Sequence, residues 1–373
     1  MGKKVLLLLA IIMTLCQASP VFAETTPTDA NITNATQTGP TIKFNGKDIN
    51  LTAYARMVDE KVLVPLRMAA EVFGCGIEWK THSNRDLAGI LFSSESRLLC
   101  FVLDSPYVLD ITDGNYIKMP TAITLVDDMA YVPLRFLTDQ LGYKTEWSNT
   151  SETINITGKP ITSIKKIEQR TDDAAFNDAL YNLGNLTRLR KEVNNTIWFS
   201  KRILHTTDKG NYIINDKLDN TEESLSEIEK LTIESVEMNS FPLKDLNKKP
   251  ENLSSQNGKV FFIQLTARKD DDSKVTFLLQ PSIPFKSYED GGCYFNSNPF
   301  ETYGISEENQ ALIREAKIAI GMKPVEVHLS WGYPSYVNSL RYPNLKHEFW
   351  AYKDIYKTDR FVNFDNDLVT WYQ

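Results

Sequence analysis

A catalytic reading of this 373-residue chain has to start from few reactive side chains. They include four histidines, His82, His205, His328 and His347, and the cysteines Cys75, Cys100 and Cys293. His347-Glu348 with His328 and Cys293 supplies the ligand types of a zinc site. One cysteine and two separated histidines, however, lack the close ligand pairs that such sites use. Ser163-Ile164-Lys165-Lys166 spells Ser-x-x-Lys, but no Lys-Thr-Gly accompanies it and the stretch reads as a linker. Asp270-Asp271-Asp272 offers oxygen ligands without the following ligand series of a calcium loop, so it reads as a solvated hairpin tip. Gly-x-Ser-x-Gly, the Walker loop, Gly-x-Gly-x-x-Gly, Cys-x-x-Cys and His-Glu-x-x-His are all missing. The sequence therefore assigns no catalytic residue, no cofactor-binding residue and no metal ligand.

Two arginines carry more information. "VPLRMAAEVFGCGIEW" begins at Val64 and "VPLRFLTDQLGYKTEW" at Val132, 68 residues later. Aligned without gaps, 57–80 and 125–148 share Val58/Val126, Asp59/Asp127, Val64/Val132, Pro65/Pro133, Leu66/Leu134, Arg67/Arg135, Gly74/Gly142, Glu78/Glu146 and Trp79/Trp147. An arginine at a helix start with acids on neighbouring strands can present a fork to a carboxylate. It can equally form an ion pair that pins helix to sheet. A device written at the same place in both repeats favours the structural reading, with Trp79 and Trp147 as core plugs.

The elements that hold these residues follow from local rules. Asn45-Gly46 and Asp113-Gly114 are type I′ hairpin signals. A strand then ends at Pro65 or Pro133, which opens a helix where its missing N–H costs nothing. The helix, 66–73 or 134–141, stops at Gly74 or Gly142 in a left-handed cap. A Glu-Trp strand, a polar turn and a closing strand (87–92; 153–157) complete each unit. Two such units are expected to pack as one pseudo-symmetric α+β domain.

Upstream, Lys3 and Lys4 precede an apolar run at 5–15, and small residues end at Ala23, the pattern of a secretory signal. The run is too short for the ~20 residues of a membrane-spanning helix, so no stable span is expected after cleavage. Removing Lys3 and Lys4 leaves 39 basic against 48 acidic residues, a net charge of −9, which gives no footprint for nucleic acid. Export permits a Cys75–Cys100 bridge, the alternative being that all three mature cysteines are small buried apolar residues.

The doubled V-P-L-R…G…W pattern with its flanking hairpins resembles the copper amine oxidase N-terminal-like domain, common in exported proteins of Gram-positive bacteria. The resemblance implies a stalk module. Copper and topaquinone belong to a separate domain of the oxidases, which needs three histidine ligands and a tyrosine in Asn-Tyr-(Asp/Glu). This chain has Asn115-Tyr116-Ile117 and Asn211-Tyr212-Ile213, and no His-x-His. No amine oxidase activity and no cofactor are expected.

Further along, Phe176, Leu180, Leu183 and Leu186 recur at helical spacing within 174–193, and strand-like runs follow at 231–238, 259–267 and 274–279. Ser306 is placed to cap a helix over 307–320, and Pro324 to open another that ends at Gly332. A β-meander should close the chain. Gly321-Met322, Val325, Val327, Trp331-Gly332, Pro334, Trp350 with Tyr352, and Phe364 resemble the C-terminal part of SmpA/OmlA-type small envelope modules, which are related in shape to β-lactamase inhibitor proteins. That resemblance implies protein binding, with Trp331, Tyr333, Tyr336, Trp350 and Tyr352 as an aromatic contact face.

The expected organisation is a signal peptide (1–23), a flexible linker (24–39), the two-repeat domain (40–158), a linker (159–173), a helix plus β-rich region (174–300) and a helix–helix–β-meander unit (301–373). The expected class is α+β throughout. The expected function is that of an exported, non-enzymatic cell-surface binding or scaffold protein that holds cell-wall polymer or another envelope protein. An envelope hydrolase with an unrecognised active site is the alternative.

Overall fold

The computed structural model describes residues 39–81, 88–162, 171–203, 212–214, 227–242, 259–282, 285–353 and 359–373. The signal peptide, most of the linker after it, Ser163–Lys166, His82 and His205 lie outside the described residues. The class is α+β.

The first repeat runs β1 (Thr41–Phe44), β2 (Lys47–Asp48), β3 (Arg56–Val58), β4 (Lys61–Pro65), α1 (Leu66–Phe73), β5 (Gly76–Thr81) and β6 (Ala88–Ser93). After β7 (Leu98–Val102), the second repeat runs β8 (Tyr107–Asp110), β9 (Asn115–Lys118), β10 (Thr124–Val126), β11 (Met129–Pro133), α2 (Leu134–Gln140), β12 (Lys144–Ser148) and β13 (Thr153–Thr157). Gly74 caps α1 at φ 75° and its N–H reaches the Ala70 and Glu71 carbonyls, while Gly142 follows α2 at φ 71°. These are the left-handed ends expected of glycine.

The two units do not build separate sheets. β4 pairs with β11 antiparallel, and Val64 lies opposite Val132, its own equivalent 68 residues on. A pseudo-two-fold axis therefore passes between these valines. The central sheet is β10-β11-β4-β3. A second sheet, β12-β13-β1-β2, joins the closing hairpin of one repeat to the opening hairpin of the other. Its counterpart is β5-β6-β7-β8-β9, in which β7 has entered between the two hairpins. β1 runs parallel to β13, and β6 and β8 keep that relation because β7 is antiparallel to both.

The opening hairpins differ from each other. Asn45 (φ 49°) and Gly46 (φ 77°) make the expected two-residue turn. In the second repeat Asp110 pairs with Asn115, so Asp113-Gly114 sits in a four-residue loop. The Asp110 side chain shapes that loop by accepting from the Thr112 N–H at 2.9 Å.

β7 is buried on both faces. Leu99 and Phe101 point into the core of the repeated module, whereas Leu98, Cys100 and Val102 point into a second core. Cys75 belongs to the first core and Cys100 to the second, which is why no bridge joins them: both are free, and burial pushes the Cys75 thiol up to about 12. Over the outer face of this sheet lies α3 (Thr171–Arg190), packed on β6, β7 and β8 and also on β16. Its buried stripe is Phe176, Ala179, Leu180, Leu183, Leu186 and Leu189. Gly89 on β6 permits the approach, since a Cβ there would sit 2.7 Å from Leu180 Cδ1.

The other wall of the second core is the sheet β15-β18-β17-β16-β14-β19. It is built from β14 (Thr196–Ser200), β15 (Tyr212–Ile214), β16 (Ile228–Pro242), β17 (Lys259–Arg268), β18 (Lys274–Leu279) and β19 (Tyr294–Phe295). Asp271 and Asp272 lie in the β17–β18 turn, where Asp272 adopts φ 63° and pairs with Arg268 at 3.0 Å. Glu237 on β16 ties the halves together. It accepts from the Tyr107 hydroxyl, pairs with Lys118 at 2.7 Å and approaches Arg190 at 3.5 Å. Tyr116 is likewise structural, accepting from Asn182 at 2.9 Å and meeting the Phe261 ring edge-on.

The same core continues into α4 (Glu307–Arg314), α5 (Pro324–Trp331) and the meander of β20 (Tyr336–Tyr342), β21 (Leu345–Lys353), β22 (Asp359–Asp365) and β23 (Leu368–Tyr372). Ser306 caps α4 as expected, accepting from the Asn309 N–H at 3.2 Å. The helix then stops six residues before the expected end. Ala316 takes φ 55°, and bonds from Lys317 N to Leu312 O and from Ala316 N to Ile313 O close a Schellman motif. Ser330 and Trp331 of α5 satisfy the exposed Lys317 and Ala316 carbonyls, so the stop is tertiary.

His328 is the pivot of an aromatic stack. It lies flat on Trp350 at 4.5 Å and bonds the Tyr288 hydroxyl at 2.8 Å, while Tyr333 stacks parallel to Tyr288 and donates to the Gly292 carbonyl. Trp350 and Tyr352 are buried, and Trp331 and Tyr333 pack against the core. Of the five aromatics expected to form a contact face, only Tyr336 is exposed. Among the described residues no helix is long and apolar enough to cross a membrane.

Candidate functional site

The two arginines and two tryptophans of the repeat are not where a structural role would put them. Trp79 and Trp147 are 48% and 45% exposed, so neither is a core plug. The reason is strand position: β5 and β12 are edge strands, so Trp79 and Trp147, although opposite the core residues Ile90 and Ile154, lie at the open margin of their sheets. Arg67 and Arg135, second residues of α1 and α2, are exposed and make no ion pair among the described residues. Three of their four expected partners are engaged elsewhere. Asp127 pairs with Arg56 at 3.1 Å, Glu78 with Lys80, and Glu146 with Lys144 at 2.6 Å.

Each Arg–Trp pair instead lines a cleft. Arg135 and Trp147 share one of about 470 Å³ with Pro133, Leu134, Thr145 and Ile154. Its opposite wall comes from the other repeat: Met57, Glu60, Lys61 and Val62 of the β3–β4 hairpin. Arg67 and Trp79 line a cleft of about 330 Å³ with Pro65, Leu66, Ile77 and Ile90, faced by Leu125, Asp128, Met129 and Ala130 of the β10–β11 hairpin. The two are equivalents under the two-fold through Val64 and Val132. Met57 and Leu125, at matching positions, are 41% and 45% exposed.

The facing hairpins were the part hidden in the sequence. Their tips, Asp59-Glu60 and Asp127-Asp128, hold four acids at positive φ (47°, 61°, 48° and 60°). Both central residues of a type I′ turn need that conformation, which glycine and asparagine normally supply. The acids give no glycine signal, and only their recurrence at the same offset could have revealed the turns. A glycine would relieve the backbone but remove the carboxylates of Glu60 and Asp128 from the cleft mouths. In the first cleft, Trp147 Nε1 donates to Asn149 at 2.6 Å, fixing the indole by its edge and leaving its ring to solvent.

Each cleft thus combines a cationic fork, an exposed indole, an apolar floor and an opposed carboxylate. Among the described residues neither is lined by histidine, serine or cysteine. The arrangement suits recognition of a ligand with a ring, an anionic group and hydrogen-bond donors. The candidate ligands of a metal site lie apart: His328 is in the aromatic stack, and His347 Nδ1 bonds Asp365 at 2.6 Å. No three His, Cys, Asp or Glu side chains converge among the described residues.

The repeated module matches the copper amine oxidase N-terminal domain. The family model covers residues 25–86 and, in a second overlapping match, 43–156. No curated protein matches the chain. The second match ends within β13, so the module with both clefts lies inside the family-like part of the chain, and α3 and everything beyond it lie outside.

Proposed function

We propose that the protein is an exported, non-enzymatic protein of the bacterial cell envelope, which holds wall polymer through its repeated module and has no amine oxidase activity. The observation that carries this reading is the pair of equivalent clefts. An arginine and a tryptophan recur in both repeats, both stand exposed, and neither is used by the fold. A signal-like N-terminus supports placement outside the cytoplasm. The unit of 301–373, which we read as akin to SmpA/OmlA-type modules, supplies a second contact. Its exposed Tyr336, Tyr342, Trp371 and Tyr372 are suited to another envelope protein.

The test is to incubate the chain lacking residues 1–23 with isolated Gram-positive cell walls and measure both sedimentation and soluble fragments. Retention in the pellet without fragment release is expected. Catalytic release of fragments, or no retention at all, overturns the reading.

A further inference from the structure

Resting on that reading, we infer that the module is a bivalent cross-linker: its two clefts hold two separate chains of a glycan built from carboxylate-bearing sugars. The ligand class follows from what each cleft opposes. An exposed indole accepts the C–H face of a sugar ring. The guanidinium of Arg67 or Arg135 takes a carboxylate bidentately. Asp128 or Glu60, on the facing hairpin, is an acceptor with no partner for an anion and needs a hydroxyl donor. A bare polyanion would be repelled there and has no ring for the tryptophan, whereas a neutral glycan leaves the arginine unused. An acidic sugar satisfies all three groups at once. Lys61 adds a second cation to the Arg135 cleft, where the other repeat has Met129.

Valency follows from symmetry. The clefts are exchanged by the two-fold between Val64 and Val132, and a two-fold reverses every direction perpendicular to it. A glycan chain has a reducing and a non-reducing end. One chain crossing the axis would meet the second cleft backwards, and one running along the axis would miss it. Equivalent occupation of both clefts therefore requires two chains, or two distant parts of one chain folded back. The second wall of each cleft belongs to the other repeat, so a single repeat would lack a complete site.

The test uses the chain lacking residues 1–23 in calcium-free buffer. Calorimetry with tetragalacturonate should give two ligands per chain. Long polygalacturonate should scatter light when mixed with the protein. The variants R67Q/W79L and R135Q/W147L should each bind one tetramer, bind the polymer still, and raise no scattering. Arg67→Gln or Arg135→Gln alone, which alters only an exposed guanidinium, should weaken its own cleft roughly tenfold or more and serves where a tryptophan variant misfolds. One tetramer per wild-type chain overturns the inference. So does undiminished scattering by the single-cleft variants, which would place the cross-link in self-association. Equal binding of dextran or polyphosphate overturns the ligand class. Wall retention that survives loss of both arginines overturns this inference and leaves envelope binding to another surface, whereas absence of wild-type retention removes both.

Discussion

The Tyr107 hydroxyl donates to the Glu237 carboxylate, 130 residues further along the chain. That bond crosses from the repeated module to the sheet of the second half, with Lys118 and Arg190 closing on the same carboxylate. The tie clasps the two walls of the core that β7 and α3 share with the second half.

Glu237 should therefore report on the joint between the halves. Burial alone would raise its carboxyl, but the Lys118 and Tyr107 hydrogen bonds and the Lys118 and Arg190 charges hold it below the ordinary value. A depressed acid contributes stability above its unfolded value, and that contribution is lost as pH falls through the folded one. Glu237→Gln is expected to cost about 1–3 kcal/mol near neutrality. The deficit should shrink as pH falls below the ordinary glutamate value, where the unfolded wild-type chain takes up a proton that the folded one still resists. Urea titrations of both proteins at pH 7 and pH 3.5 check this, and an equal deficit at both would exclude it.

His328 should govern a different window. Burial lowers it from 6.5 to about 3, so the folded protein keeps it neutral between those values while the unfolded chain binds a proton. Stability is then complete above about pH 6.5 and falls with acid by about 1.4 kcal/mol per pH unit until the folded value is reached. Replacing it by a group that does not titrate, His328→Gln, should flatten the slope between pH 6 and pH 4 even if the absolute stability drops. Midpoints measured across that range read the slope directly.

Arg135 and Asp110 offer a contrast between two charged residues. Arg135 is exposed and unpaired among the described residues, so Arg135→Ala should leave melting within about 0.5 kcal/mol of wild type. The Asp110 side chain is fully buried and pairs with Arg97. Asp110→Ala removes the buried acceptor of Arg97 and of the Thr112 N–H and should cost about 1–3 kcal/mol, Arg97 keeping solvent and Asp113. A large loss at Arg135 would restore the structural reading of the repeated arginines.

The repeat made much of the module legible from the sequence. Pro65, Gly74 and their equivalents bound each helix within a residue, because proline and glycine act locally and leave little choice. What the sequence concealed was long-range. Whether Trp79 faces a core or solvent depends on β5 being an edge strand, which pairing alone decides. The end of α4 at Arg314, followed by left-handed Ala316, is set by Ser330 and Trp331 of another helix. The aromatic run after Pro324 read as a contact face because neither His328 nor Tyr288 signals, in sequence, that it will gather Trp350 and Tyr333 inward.

The exchange of hairpins between repeats makes the module a dimer fused into one chain. Each flanking sheet is completed by the other unit, so a lone repeat could satisfy its strands only by finding a second copy. In such a pair the two outer sheets would be identical. Fusion allowed them to diverge, because the joining segment could become β7 and widen one sheet alone. It is this widened sheet that α3 covers, while the buried residues of its four-stranded counterpart stay within the first core. The linker strand thus decides the side on which the rest of the chain is attached. A duplicated unit acquired a front and a back, and the second half of the protein grew from the back.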